Sequence, residues 1–175
     1  IAPLEMRNLL DFCALLIPPR KVRNKPHPMS VENLHALVNV ADEKWQALLI
    51  ASPNFCMYAA EIAEVQKSDI DFTEKTLVSE RRKTGETRLA VIWERTIDAV
   101  KRLPKNQHTH LFLSREGAPH DAEGLRTAFR KLRDKAGLPE TVKFNNIRDG
   151  AYTAAIKGGV DVLHAKLVAG HSAGM

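Results

Sequence analysis

The chain has little that would announce a chemistry by itself. Its two cysteines, Cys13 and Cys56, are too few for a disulfide framework, and that scarcity reads as a reduced, cytoplasmic setting. No apolar run reaches the roughly 18 residues that span a bilayer, so no membrane partner is expected. The opening stretch IAPLEMRNLLDFCALL sets Glu5, Arg7 and Asp11 inside its apolar pattern, so a signal peptide is not expected there. The nine glycines never gather into a Walker or dinucleotide loop; KTGET is too short to be one. No serine or cysteine sits in a local nucleophile signature. Among seven histidines, His108 and His110 in HTHLF would share one face of a strand, but no third ligand follows at a convincing spacing. They read as surface histidines, and neither a metal nor a cofactor is expected. Repeats and low-complexity tracts are absent.

What is present is the make-up of one ordinary soluble domain: 175 residues, 44% hydrophobic and 27% charged. The balance of 26 Lys and Arg against 21 Asp and Glu gives a net charge of +5, which permits a polyanionic partner without demanding one. The first residue is Ile1, and the chain is expected to be part of something longer. Leu4, Leu9, Leu10, Phe12, Leu15 and Leu16 make the apolar face of a short helix. IPPRKVRNKPHP, residues 17–28, then breaks it with four prolines among clustered Lys and Arg. This is read as a basic linker, either a solvated loop or a strap across a phosphate backbone.

Ser30 is a good N-cap for a helix with Val31, Leu34, Leu37, Val38 and Ala41 on one face. EKWQALLIAS and FCMYAAEIAEV predict two more helices, parted by Pro53 and Asn54. The period then shortens. DIDF, TLVSERR and RLAVIW read as strands, with KTGET as the turn of a hairpin between the last two. ERTIDAVKRL is helical and stops at Pro104; THLFLS is a short strand or extended segment. DAEGLRTAFRKLRDKAGL is a long amphipathic helix, and NIRDGAYTAAIKGG and DVLHAKLVAG are two more with glycine stops. The expected fold is mainly α with a small antiparallel β-sheet (α+β).

Three places carry chemistry by residue type. Arg148, behind Asn145 and Asn146, is either a solvated charge or one aimed at a phosphate. Arg81, Arg82 and Lys83 precede the hairpin turn and Arg88 follows it; they are either a solvated tip or a cationic finger on a DNA backbone. His171 follows a glycine-terminated helix, where it caps, packs or donates into a cleft.

The order of these pieces resembles the catalytic domain of the tyrosine recombinases, the phage integrase family. MYAAEIAEVQKSDID, residues 57–71, is similar to the family's first box, in which an Arg stands three residues before a Glu on a helix leading to an Asp-hydrophobic-Asp strand; Glu61, Asp69 and Asp71 match. RRKTGETRLAVIW resembles its β-hairpin, with Lys83 at the catalytic lysine. NNIRDGAYTAA resembles its His-x-x-Arg box, with Arg148 at the second catalytic arginine, and LVAGHS its Leu-Gly-His box, with His171 at the later His or Trp position. The resemblance covers residues 28–175; residues 1–27 would be the end of a preceding DNA-binding region and its linker.

The departures are specific. Tyr58 stands for the first arginine, Asn145 for the box histidine, and Asp149 where another histidine is common. The nucleophilic tyrosine would fall eight or nine residues after His171, past Met175; Tyr58 and Tyr152 occupy other positions. The resemblance implies metal-independent cleavage and rejoining of double-stranded DNA through a 3′-phosphotyrosyl bond, in a DNA-assembled homo-oligomer. It makes Lys83, Arg148, His171, Asn145 and Tyr58 the site, with Arg81, Arg82 and Arg88 as DNA-binding residues. Arg148 would clamp the phosphate, Lys83 would protonate the leaving 5′-oxygen, and His171 would donate to a phosphate oxygen. Asn145 can donate but cannot take up a proton as histidine does. Losing one preorganised donor costs about 3–4 kcal/mol of transition-state stabilisation, and Tyr58 offers only a neutral hydrogen bond. Arg81 and Arg82 are the candidates to fill that gap. A catalytically degenerate DNA-binding relative and a helical protein-interaction module are the alternatives.

Overall fold

The computed structural model describes residues 27–81 and 85–170. The basic linker, Arg82, Lys83 and His171 therefore lie outside the described residues, apart from the linker's last two positions. Among the described residues helices are the main regular elements, beside one three-stranded antiparallel sheet, as the sequence pattern predicts. Among the described residues no helix is long and apolar enough to cross a membrane.

Helix α1 (Val31–Val40) starts at Ser30, whose Oγ accepts the Asn33 N–H at 3.2 Å. Helix α2 (Glu43–Phe55) starts at Asp42, which accepts from the Trp45 N–H at 2.9 Å. Here the structure corrects the sequence reading: α2 continues through Pro53 and Asn54. Pro53 sits in the last turn, where its missing N–H forfeits only one helical bond. The true stop is Cys56, in the left-handed conformation at φ 51°. Asn54 is a tie rather than a breaker. Its Nδ2 donates to the Val91 carbonyl and its Oδ1 accepts the Trp93 N–H, both at 2.9 Å. The next helix, α3, is accordingly short (Ala59–Ala63).

A 3₁₀ turn (Lys67–Asp69) leads to β1 (Ile70–Asp71), β2 (Thr76–Arg81) and β3 (Glu86–Val91), in the order β1-β2-β3. In the β2–β3 register Leu77 opposes Ala90 and Ser79 opposes Arg88. Helix α4 (Glu94–Lys101) follows. THLFLS stays outside the sheet. It forms an isolated bridge between Gln66 and His110, and the Leu111 N–H donates to Val65 O. Helices α5 (Ala122–Lys135), α6 (Asn146–Lys157) and α7 (Val162–Ala169) complete the described residues.

The core lies where α2 packs on α4 and α6, and α3 on α5. Leu37, Leu49, Phe55, Ile62, Leu125 and Ile147 are fully buried, and Phe129 meets Phe144 edge-to-face at 5.5 Å. Each such side chain contributes about 1.5–3 kcal/mol of apolar burial. Gly150 lets the chain entering α1 press onto α6: a Cβ there would lie 2.6 Å from Met29 O. Packing at these two seams holds α3, the hairpin, α6 and α7 around one point.

Candidate functional site

That point is Glu61. It lies in the first turn of α3, and its Oε2 reaches back to the Tyr58 N–H at 2.8 Å. This capping bond helps to fix the carboxylate's position. Three guanidiniums then converge on it. Arg81 Nε donates to Oε1 at 2.9 Å, Arg88 Nη2 to the same Oε1 at 3.1 Å, and Arg148 Nη1 to Oε2 at 3.1 Å.

The same three arginines hold the C-terminus of α7. Arg88 Nε donates to Val168 O at 3.0 Å and its Nη2 to Ala169 O at 3.1 Å. Arg148 Nη2 donates to Ala169 O at 2.6 Å, and Arg81 Nη1 to Gly170 O at 3.0 Å. These carbonyls are the orphan acceptors of a helix end, where the macrodipole favours cations. Gly170 turns the chain at φ +60°, and a Cβ there would sit 3.3 Å from Arg88 Nη2 and 3.4 Å from Arg81 Cδ. Glycine suits both the backbone angle and the close approach.

Burial is the largest influence on the Glu61 carboxyl and raises its pKa. The Tyr58 N–H and the charges of Arg88 and Arg148 together outweigh it, so the net shift is downward and the group is ionised. Burial likewise lowers the Arg88 pKa, against the pull of Glu61. The cluster carries three positive charges against one negative.

The other predicted residues surround it. The Tyr58 ring stacks on the Arg148 guanidinium at 4.0 Å. Asn145 Oδ1 accepts the Ala59 N–H at 3.1 Å, tying α6 to the start of α3. That leaves the amide's NH₂ for other acceptors. Tyr58, Glu61, Arg81, Arg88, Asn145, Ser79, His110 and Arg126 line an open cleft of about 870 Å³, together with the exposed acids Glu64 and Glu80. Arg148 lies behind Tyr58 and is 2% exposed. Arg88 points inward and is 1% exposed. Among the described residues no group of three His, Cys, Asp or Glu could hold a metal.

Two features escape a residue-by-residue sequence reading. Glu61 was legible as a box residue but not as the hub. Its signal is the spacing of three from Tyr58 at a helix start. Arg88, read as either a solvated charge at the hairpin tip or a DNA-binding residue, is instead 1% exposed; it alternates with Ala90 and Ile92, both buried.

The model of the phage integrase family matches residues 28–174. Among curated protein sequences none matches the chain. Among solved structures, XerA recombinase superposes with a TM-score of 0.75 at 18% identity, over 99% of this chain and 76% of that one. A lambda integrase bound as a dimer to a COC′ core site gives 0.73 at 14% identity, over 96% and 68%. The integrase of mycobacterium phage Brujita gives 0.71 at 20% identity, over 92% of this chain and 55% of that one. The matched span and the shared fold together establish that the chain belongs to the phage integrase family.

Proposed function

We propose that this chain is the catalytic domain of a site-specific DNA recombinase that cleaves and rejoins double-stranded DNA without a metal, in the cytoplasm and in a DNA-assembled homo-oligomer. The observation that carries this reading is the convergence of Arg81, Arg88 and Arg148 on the single carboxylate of Glu61 beside an open cleft. Two positive charges in excess, held rigidly, attract a phosphodiester and the further charge its transition state develops. Relatives of this fold include a transposon integrase in complex with a circular intermediate DNA and the lambda integrase on its core site.

In the reaction that the resemblance implies, a tyrosine phenolate attacks phosphorus and the bond from phosphorus to the 5′-oxygen breaks. Lys83 gives its proton to that oxygen, which an ammonium can do and a guanidinium practically cannot. His171 donates to a non-bridging oxygen. Asn145 offers its NH₂ and holds no proton. Arg148 fixes Glu61 and adds charge from behind Tyr58. Of the tyrosines among the described residues, Tyr58 is stacked flat on a guanidinium and Tyr152 lies on α6, so neither is assigned as nucleophile.

The test is binding of a fluorescent mixed-sequence duplex across a salt series. Affinity should fall linearly in log–log form with a slope set by the number of phosphates contacted. No salt-dependent binding sinks the reading and favours a protein-interaction module. If binding persists while Lys83→Ala and Arg148→Ala leave strand cleavage by the intact recombinase untouched, the assigned chemistry fails.

A further inference from the structure

We propose that Arg81 is the arginine that touches the scissile phosphate in this chain, taking the part left open by Tyr58. The proposal rests on the recombinase reading above and names the residue that carries its first phosphate contact.

Three observations lead to it. First, access separates the three arginines. Arg88 is 1% exposed and Arg148 is 2% exposed, with the Tyr58 ring over its guanidinium at 4.0 Å. The Arg81 side chain keeps 14% exposure and lines the cleft. An anion arriving from solvent meets Arg81 before the other two.

Second, Arg81 is aimed in advance. Its Nε is fixed on Glu61 Oε1 at 2.9 Å and its Nη1 on Gly170 O at 3.0 Å, one contact from α3 and one from the end of α7. A planar fork held through two of its nitrogens by two elements keeps its orientation when the ligand binds, so little is reorganised as charge develops. Third, the charge is unbalanced locally. Arg81 and Arg88 share one carboxylate oxygen, and Arg148 takes the other. Glu61 alone cannot neutralise all three, and of the three Arg81 is the one open to the cleft, whose lining also holds Arg126 and the acids Glu64, Asp69 and Glu80.

The first experiment uses the unsubstituted protein. It is treated with phenylglyoxal, alone and with a saturating mixed-sequence 30-base-pair duplex, and modified arginines are read by mass spectrometry. Arg81 is expected to react in the free protein and to be protected by the duplex, while Arg88 and Arg148 stay unreactive in both. An Arg81 that is unreactive in the free protein, or equally reactive with and without DNA, overturns the proposal. The second experiment compares salt slopes. Arg81→Gln should lower the slope by about 0.9, the loss of one phosphate contact. Placing arginine at position 58 in that background (Tyr58→Arg with Arg81→Gln) should restore it. An Arg81→Gln protein that melts lower but keeps the full slope would make Arg81 structural only. Should Arg81→Gln not fold, the protection experiment decides alone. Absence of duplex binding by the unsubstituted protein sinks the recombinase reading itself, and this proposal with it.

Discussion

The two faces of the β2–β3 hairpin invert the usual order of a half-buried sheet. Its outer face shows Val78, Leu89 and Val91 to solvent, at 50%, 43% and 69% exposure. Its inner face buries Arg88 beside Ala90, across from Leu77 and Ser79, and brings Arg81 onto Glu61. An antiparallel sheet ordinarily turns its apolar face inward and its polar face to water. Here the inner face meets a carboxylate and a helix C-terminus, so arginine is the side chain whose donors are satisfied there. The apolar Leu77 and Ala90 go in together with arginines whose partners lie on that side. The inner face is held by directional bonds whose loss strands a charge. The outer face carries little of the fold's energy.

Breaking that contrast most sharply calls for removing Glu61. Glu61→Ala leaves three guanidiniums without their carboxylate, and stability should fall by about 3–5 kcal/mol. For a chain of this size that lowers Tm by on the order of 10 °C. A melt within about 2 °C of the parent protein would mean the cluster does not act as a unit. Acid gives the same test without a cavity. The Glu61 pKa is lower folded than its ordinary value of 4.5, so its contribution is complete above that value and is lost as pH falls through the depressed folded value. The Tm gap between the parent and Glu61→Gln should therefore be constant near neutrality and close on acidification below about pH 4.5. A gap that widens in acid refutes the sign.

Gly170 comes next. Gly170→Ala places a Cβ at φ +60°, 3.3 Å from Arg88 Nη2. The left-handed backbone alone costs about 1–2 kcal/mol, and displacement of Arg88 adds to it. Gly137→Ala is the control, with φ +68° and nothing within 4 Å. If the two substitutions lower Tm equally, the contact with Arg88 contributes nothing.

The sequence showed the helices whose caps are local, because Ser30, Asp42 and Asp121 each accept a hydrogen bond within their own first turn. Arg148, Asn145, Tyr58, Arg81 and Arg88 could each be singled out by type and order, and the structure brings all five around Glu61. Three things were hidden. The continuation of α2 past Pro53 depends on Asn54 bonding Val91 and Trp93, which lie 37 and 39 residues away. The burial of Arg88 depends on Val168 and Ala169, 80 and 81 residues on. THLFLS has strand composition but finds its partners in Val65 and Gln66, outside the sheet. Each of these depends on a partner too distant in sequence for local periodicity to register.

Tyr58 tests the lid over Arg148. Tyr58→Leu removes the aromatic face from a guanidinium 4.0 Å away and should cost about 0.5–2 kcal/mol. Tyr58→Phe keeps the ring and should melt close to the parent protein. If Phe destabilises as much as Leu, the hydroxyl rather than the ring is what holds the position, and the stacking account fails.

The smallest effect belongs to the outer face, and it carries the comparison's strictest condition. Val91 is 69% exposed and β-branched, so Val91→Thr keeps the strand preference and the shape while exchanging a methyl for a hydroxyl that water can solvate. Stability should change by no more than about 0.5 kcal/mol. Its inner neighbour Ala90 is 1% exposed, and Ala90→Val forces two methyl groups into a filled space, at a cost of about 1–3 kcal/mol. The two sites are adjacent in sequence and occupy opposite faces of the hairpin. Equal effects at both would show that the hairpin does not distinguish its faces energetically. The inward arginines would then have to be explained by something other than the partners they meet.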